Sequence, residues 1–115
     1  MSLVIYHNPR CSKSRQTLEL IEEKGANVEV VKYLDDTPSA AELAELVKKL
    51  GFGSARELMR TKEDIYKELD LKNENDEQAL LNAMHANPKL IERPIVVKGD
   101  KAVLGRPPEN ALELI

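Results

Sequence analysis

Strand-forming residues lie at the two ends of this chain, with a helical stretch between them. Leu3-Val4-Ile5-Tyr6 reads as a short buried strand. A helix follows, opened by Ser12 or Ser14. It carries Leu18, Leu20 and Ile21 on its apolar side and stops at Gly25. Val28, Val30 and Val31, followed by Tyr33-Leu34, form a second strand. The order predicts a β-α-β unit with a right-handed crossover. Residues 38–87 break this pattern. Ser39 to Glu42 is a capping box opening a helix with Leu43, Leu46, Val47 and Leu50 on one face, ended by Gly51. Ser54 to Glu57 is a second box, opening a short helix through Arg60, and Asp64 to Leu69 is another helical turn. Asn75 to Gln78 caps a further helix with Leu80, Leu81 and Met84, stopped near Pro88. The pattern then returns to β. Ile95 to Lys98, Gly99-Asp100 and Lys101 to Leu104 make a hairpin, and Pro108 to Leu114 a terminal helix. The strands of both ends must meet in one sheet across the helical segment.

The order β-α-β, helical block, β-β-α is that of an α/β, thioredoxin-like fold with a helical insertion at about 38–87. A length of 115 residues fits a single domain spanning 1–115. A net charge of −3 gives no electrostatic case for nucleic acid binding. No stretch approaches the roughly 20 apolar residues of a membrane span, and the N-terminus lacks the apolar centre of a signal peptide. One cysteine excludes a disulfide framework and a cysteine-based zinc cluster. No other ligand cluster for a metal stands out. A free thiol suits the reducing cytoplasm.

That cysteine, Cys11, lies in His7-Asn8-Pro9-Arg10-Cys11-Ser12-Lys13-Ser14-Arg15, between the first strand and the first helix. A thiol at a helix N-terminus meets unpaired N–H groups and the positive dipole end, which favour the thiolate and suit an anion. Arg10 and Arg15 add positive charge. Lone cysteines are commonly buried and inert, but the polar, turn-forming flanks here point to a reactive one. Cys11-Ser12-Lys13-Ser14 matches a Cys-x-x-Cys motif with its second thiol replaced, so an adduct on Cys11 must be cleared by an outside thiol. His7 can hold a hydrogen bond near the thiolate, and so can Ser14; the other reading of His7 is a histidine that packs at a strand end. His85 is assigned no role.

Arg93-Pro94 enters a strand, and X–Pro bonds take the cis form at a cost of only about 0.5–1 kcal/mol, so this bond is a candidate for it. Arg106-Pro107 repeats the pair after the hairpin. Strand ends in an open sheet share an edge, so Arg93 and Arg106 are candidates to converge with Arg60 on the Cys11 turn. A guanidinium suits a tetrahedral oxyanion, because its planar fork donates in parallel and keeps its charge. Spacing alone leaves three solvated arginines as the other reading.

Taken together, these segments resemble the glutaredoxin-dependent arsenate reductase family. The likeness rests on Ile5 to Pro9, Cys11 with Ser14 to Leu18, Tyr33-Leu34 before Pro38-Ser39, Arg56 to Arg60, Asn87-Pro88, Ile91 to Val97 and Arg106 to Glu109. It runs in order over nearly the whole chain. The resemblance implies that Cys11 is the nucleophile that attacks arsenate and that Arg60, Arg93 and Arg106 hold the oxyanion. It also implies that His7 and Ser14 tune the cysteine. Glutathione then serves as co-substrate and glutaredoxin as the reductant that releases arsenite, with no bound cofactor. Two features depart from the pattern: Arg10 stands where a small residue is common, and the chain after Arg106 is shorter than in many relatives. Two other functions fit the same sequence. One is a monothiol, glutathione-dependent thiol transferase, which Cys-x-x-Ser permits. The other is a non-catalytic regulator of the Spx type that binds RNA polymerase, although Ser14 removes the Cys-x-x-Cys switch of the best-known members.

Overall fold

The computed structural model describes residues 3–115. Strand β1 (Leu3–His7) leads into helix α1 (Ser12–Glu23) and strand β2 (Val28–Lys32). After the helical segment, strands β3 (Ile95–Lys98) and β4 (Lys101–Leu104) form the predicted hairpin. The four strands make one sheet in the order β2-β1-β3-β4. β1 runs parallel to β2, with Ile5 beside Val30. It runs antiparallel to β3, with Ile5 beside Val96. This is the α/β, thioredoxin-like arrangement that the element order predicts. The two ends of the chain join where β1 meets β3.

Alternation along β1 buries Leu3, Ile5 and His7 on one face. Leu3 and Ile5 pack there with Val96, with Ile21 of α1, and with Ala111 and Leu114 of the last segment. Burying this apolar surface, at roughly 25 cal/mol per Å², holds α1 against the sheet. The same parity turns His7, at the end of the strand, toward the start of α1. Gly99 has φ +62° and is the first of the two hairpin residues, and Asp100 keeps a negative φ, the pattern of a type II′ turn.

Several local expectations are corrected. Neither Ser12 nor Ser14 caps α1. The N-cap is Cys11, in extended backbone (φ −94°, ψ 124°) and without a side-chain cap bond. The buried stripe of α1 is Ser14, Thr17 and Ile21 rather than one centred on Leu18 and Leu20. Polar residues are tolerated there because each finds hydrogen-bond partners. The second strand ends at Lys32: the N–H groups of Asp35 and Asp36 turn back to the Lys32 carbonyl, at 3.0 and 2.8 Å. Pro108–Leu114 is a 3₁₀ helix.

The chain divides into two compact units, one formed by residues 3–36 with Arg93–Ile115, the other by Thr37–Glu92. The second contains α2 (Ala40–Lys49), α3 (Asp64–Glu68) and α4 (Glu77–Ala86), with short 3₁₀ turns between and after them. Both predicted capping boxes are present, at Ser39/Glu42 and Ser54/Glu57. The segment after Ser54 is a 3₁₀ turn, Ala55–Leu58, because Met59 leaves the helix to bridge Ile91. Among the described residues no helix is long and apolar enough to cross a membrane.

Candidate active site

Cys11 sits at the junction of β1 and α1, partly exposed. A tight turn fixes its backbone: the Cys11 N–H donates to the Asn8 carbonyl at 3.0 Å, and the Cys11 carbonyl accepts from the Arg15 N–H at 3.0 Å. The Asn8 side-chain oxygen accepts the Arg10 N–H at 3.0 Å. Arg15 Nη1 donates to the Pro9 carbonyl at 2.9 Å. Arg10 and Arg15 are both exposed, and Arg15 braces the loop from outside.

Partial burial pushes the Cys11 thiol up, but four favourable contacts outweigh it and the net shift is downward. In order of size they are the Ser14 backbone N–H, the charge of Arg93, the Lys13 backbone N–H and a hydrogen bond from the Arg93 side chain. The two N–H groups belong to the first turn of α1, where no helical carbonyl can take them. A thiolate at the N-cap supplies the missing acceptor.

Ser14 is fully buried. Its Oγ lies 2.7 Å from Nδ1 of His7 and accepts the Asn8 N–H at 3.0 Å. Burial, then the charges of Lys32 and Arg15, hold the His7 pKa below the usual imidazole value, so the ring favours its neutral form. The pairing that uses each group once has the Ser14 hydroxyl donating to Nδ1. Ser14 thus reaches the sulfur through its main-chain N–H, while its side chain fixes the strand end to the helix.

Of the three arginines, Arg93 stands at the thiol. Its Nε and Nη1 are buried and have no hydrogen-bond partner among the described residues. Arg106 is exposed and tied to the same turn, with Nη1 donating to the Arg93 carbonyl at 3.4 Å. Arg60 belongs to the helical unit, where its guanidinium pairs with Glu63 at 2.9 Å and Glu92 at 3.4 Å. The Arg93–Pro94 and Arg106–Pro107 bonds are both cis. His85, assigned no role, bonds the Pro38 carbonyl through Nδ1 at 2.9 Å.

The sequence alone points to no role for Asn8, Thr17 or Gly105. Asn8 closes the turn around Cys11 through its N–H, carbonyl and side-chain oxygen. Thr17 and Gly105 are buried against one another behind it. A threonine three residues after Ser14, on the same helix face, was the available signal.

A sequence model of the ArsC family matches residues 6–114. The Escherichia coli K12 protein named "Uncharacterized protein YfgD" is 60% identical over 112 residues, covering 96% of this chain and 94% of its own. A Neisseria meningitidis protein named "Arsenate reductase" is 57% identical over 107 residues, 92% of either chain. The solved structure of "Arsenate reductase from Vibrio cholerae" superposes with a TM-score of 0.97 at 52% identity, covering 100% of this chain and 98% of that one. With the family match running through the Cys11 turn, Arg93 and Arg106 to residue 114, this chain belongs to the ArsC family.

Proposed function

We propose that the protein reduces arsenate to arsenite, with Cys11 as nucleophile and an arginine site for the oxyanion. One observation carries this reading: Arg93 holds two buried, unpartnered donors beside a thiol whose pKa is lowered. Buried guanidinium nitrogens without partners are costly, even while the same side chain also bonds the thiol, and a tetrahedral oxyanion would take those two donors. The names of the Neisseria and Vibrio relatives support arsenate as that oxyanion.

In this proposal the residues supply the nucleophile and the anion site, and the family resemblance supplies glutathione and glutaredoxin as the thiol partners. The Cys11 thiolate attacks arsenic, and an arsenate oxygen leaves as water. Arg93, with Arg106 in the same role, offsets repulsion between thiolate and oxyanion and stabilises charge building on the oxygens. His7 and Ser14 hold the turn in which the thiolate forms. The chain has no second cysteine, so the electrons come from outside thiols. Glutathione condenses on arsenic with loss of a second water. A glutaredoxin thiolate then attacks the glutathione sulfur, the sulfur–arsenic electron pair passes to arsenic, and As(V) becomes As(III). The product on the reductant is a mixed disulfide. Hydrolysis of the remaining sulfur–arsenic bond releases arsenite and restores Cys11. A free nucleophilic thiol working with thiol co-substrates suits a reducing compartment, and we place the reaction in the cytoplasm.

The test is arsenate-dependent NADPH oxidation in a mixture of glutathione, glutathione reductase and glutaredoxin, with Cys11→Ser in parallel. Turnover is expected to require arsenate, glutaredoxin and Cys11. Turnover retained by Cys11→Ser would refute the assignment. A thiol that alkylates rapidly near neutral pH without arsenate turnover would favour the thiol transferase reading, for which activity on glutathionylated substrates is the readout.

A further inference from the structure

We infer that Thr17 and Gly105 are positioning residues that set the distance between the Cys11 thiol and the Arg93 guanidinium by locking α1 to the Arg93–Pro94 turn. Gly105 is buried. Its N–H donates to the Pro94 carbonyl at 2.9 Å. Thr17 Oγ1 lies 2.7 Å from the Lys13 carbonyl and 3.2 Å from the Gly105 carbonyl, so its single hydroxyl proton is shared between the two acceptors. One short path therefore joins the first turn of α1 to the residue after Arg93. Lys13 links this path to the thiol, since its carbonyl holds Thr17 and its N–H faces the Cys11 sulfur.

Gly105 is excluded from any larger residue by space. Its φ lies outside the left-handed region, so its backbone conformation does not call for glycine. A Cβ there would stand 2.6 Å from Thr17 Oγ1, 2.8 Å from Thr17 Cγ2 and 2.8 Å from Pro94 Cγ. Neither neighbour can turn aside. Thr17 is fully buried, β-branched and held between the Lys13 and Gly105 carbonyls, and Pro94 is a buried ring. An added methyl must push α1 and the Pro94 turn apart, and Cys11 rides on one while Arg93 rides on the other. Arg106, next to Gly105, is bonded to the Arg93 carbonyl and would shift with them.

The inference rests on the reading of Cys11 and Arg93 as a working pair, and the experiment separates the two. The pH profile of Cys11 alkylation by iodoacetamide is measured with thermal unfolding and arsenate turnover for wild type, Gly105→Ala, Thr17→Val and the double variant Gly105→Ala/Thr17→Ala. Gly105→Ala is expected to move the alkylation profile to higher pH and to lower kcat/KM by roughly tenfold to a hundredfold, the scale of a small misplacement. Thr17→Val keeps the shape, removes the donor and should move the profile in the same direction. Opening space in the double variant should recover part of the loss. A folded Gly105→Ala protein with the wild-type alkylation profile would overturn the inference. If Gly105→Ala does not fold, an unchanged profile in Thr17→Val does so instead. A wild-type thiol that titrates at its ordinary value would instead sink the activated-thiol reading before any variant is compared. Absent arsenate turnover with a low wild-type profile would sink only the choice of arsenate.

Discussion

The Ser14 hydroxyl lies 2.7 Å from Nδ1 of His7, and this contact closes the strand end onto the first turn of the helix that carries Cys11. Ser14 Oγ also accepts the Asn8 N–H at 3.0 Å. Replacing Ser14 with Ala would leave a buried imidazole nitrogen and a partly buried N–H unpaired. The expected loss is about 1–3 kcal/mol of stability, read as a lower denaturant midpoint at unchanged slope. Because the main-chain N–H of residue 14 remains, the alkylation profile of Cys11 should move less than it does when Arg93 is removed.

Arg93 acts on the thiol through charge and through a hydrogen bond. In Arg93→Ala the thiol pKa should rise and alkylation at neutral pH should slow. Arsenate turnover should fall by about 10²–10³-fold, the usual effect of losing one donor to a developing oxyanion. Arg93→Lys keeps the charge without the planar fork, and it should preserve alkylation better than turnover. Equal loss of both in the lysine variant would argue against an oxyanion-specific role.

His7 gives stability a pH dependence whose sign can be worked out. Its folded pKa is depressed, by burial first and then by Lys32 and Arg15. Above about pH 6.5, the ordinary imidazole value, the ring is neutral in both states and no penalty applies. As pH falls through that value, the unfolded chain takes up a proton that the folded protein resists, so stability declines. Denaturant midpoints at pH 7.5 and pH 5 should therefore differ less for His7→Gln than for wild type. Equal differences would show that the ring does not carry the effect.

Arg56 ties the helical unit together. Its Nη1 donates to Tyr66 Oη at 3.1 Å and to the Leu71 carbonyl at 2.9 Å, and its Nη2 to the Glu74 carbonyl. Arg56→Met keeps the aliphatic stem and removes the donors. About 1.5–3 kcal/mol should be lost, as for hydrogen bonds to a charged group. Amide exchange of Leu71 to Glu74 should accelerate more than that of Leu43 and Leu46 in α2. Uniform exchange across the unit would count against a local clamp.

The linear pattern was sufficient for the number and order of the strands, the capping boxes and the place of Cys11. Period-two alternation, Ser-x-x-Glu spacing and a thiol before an amphipathic helix are local properties, set by dihedral preferences and by which groups lack partners within a few residues. The cap of α1 was not legible in the same way. Ser12 and Ser14 look like caps, but the parity of β1 brings His7 over Ser14 and turns its hydroxyl inward.

What the sequence determined by itself is the order of strands and helical segments and the place of Cys11 at the start of α1, because both follow from neighbours along the chain. Only the tertiary structure decided which distant groups act on that thiol. Arg93 reaches Cys11 because β3 pairs with β1 across the helical segment, and Arg106 follows because the hairpin returns its residue to the Arg93 carbonyl. The contact of Gly105 with Thr17 spans 88 positions. No periodicity encodes it, since its cause is the close packing of one glycine between a helix and a proline ring.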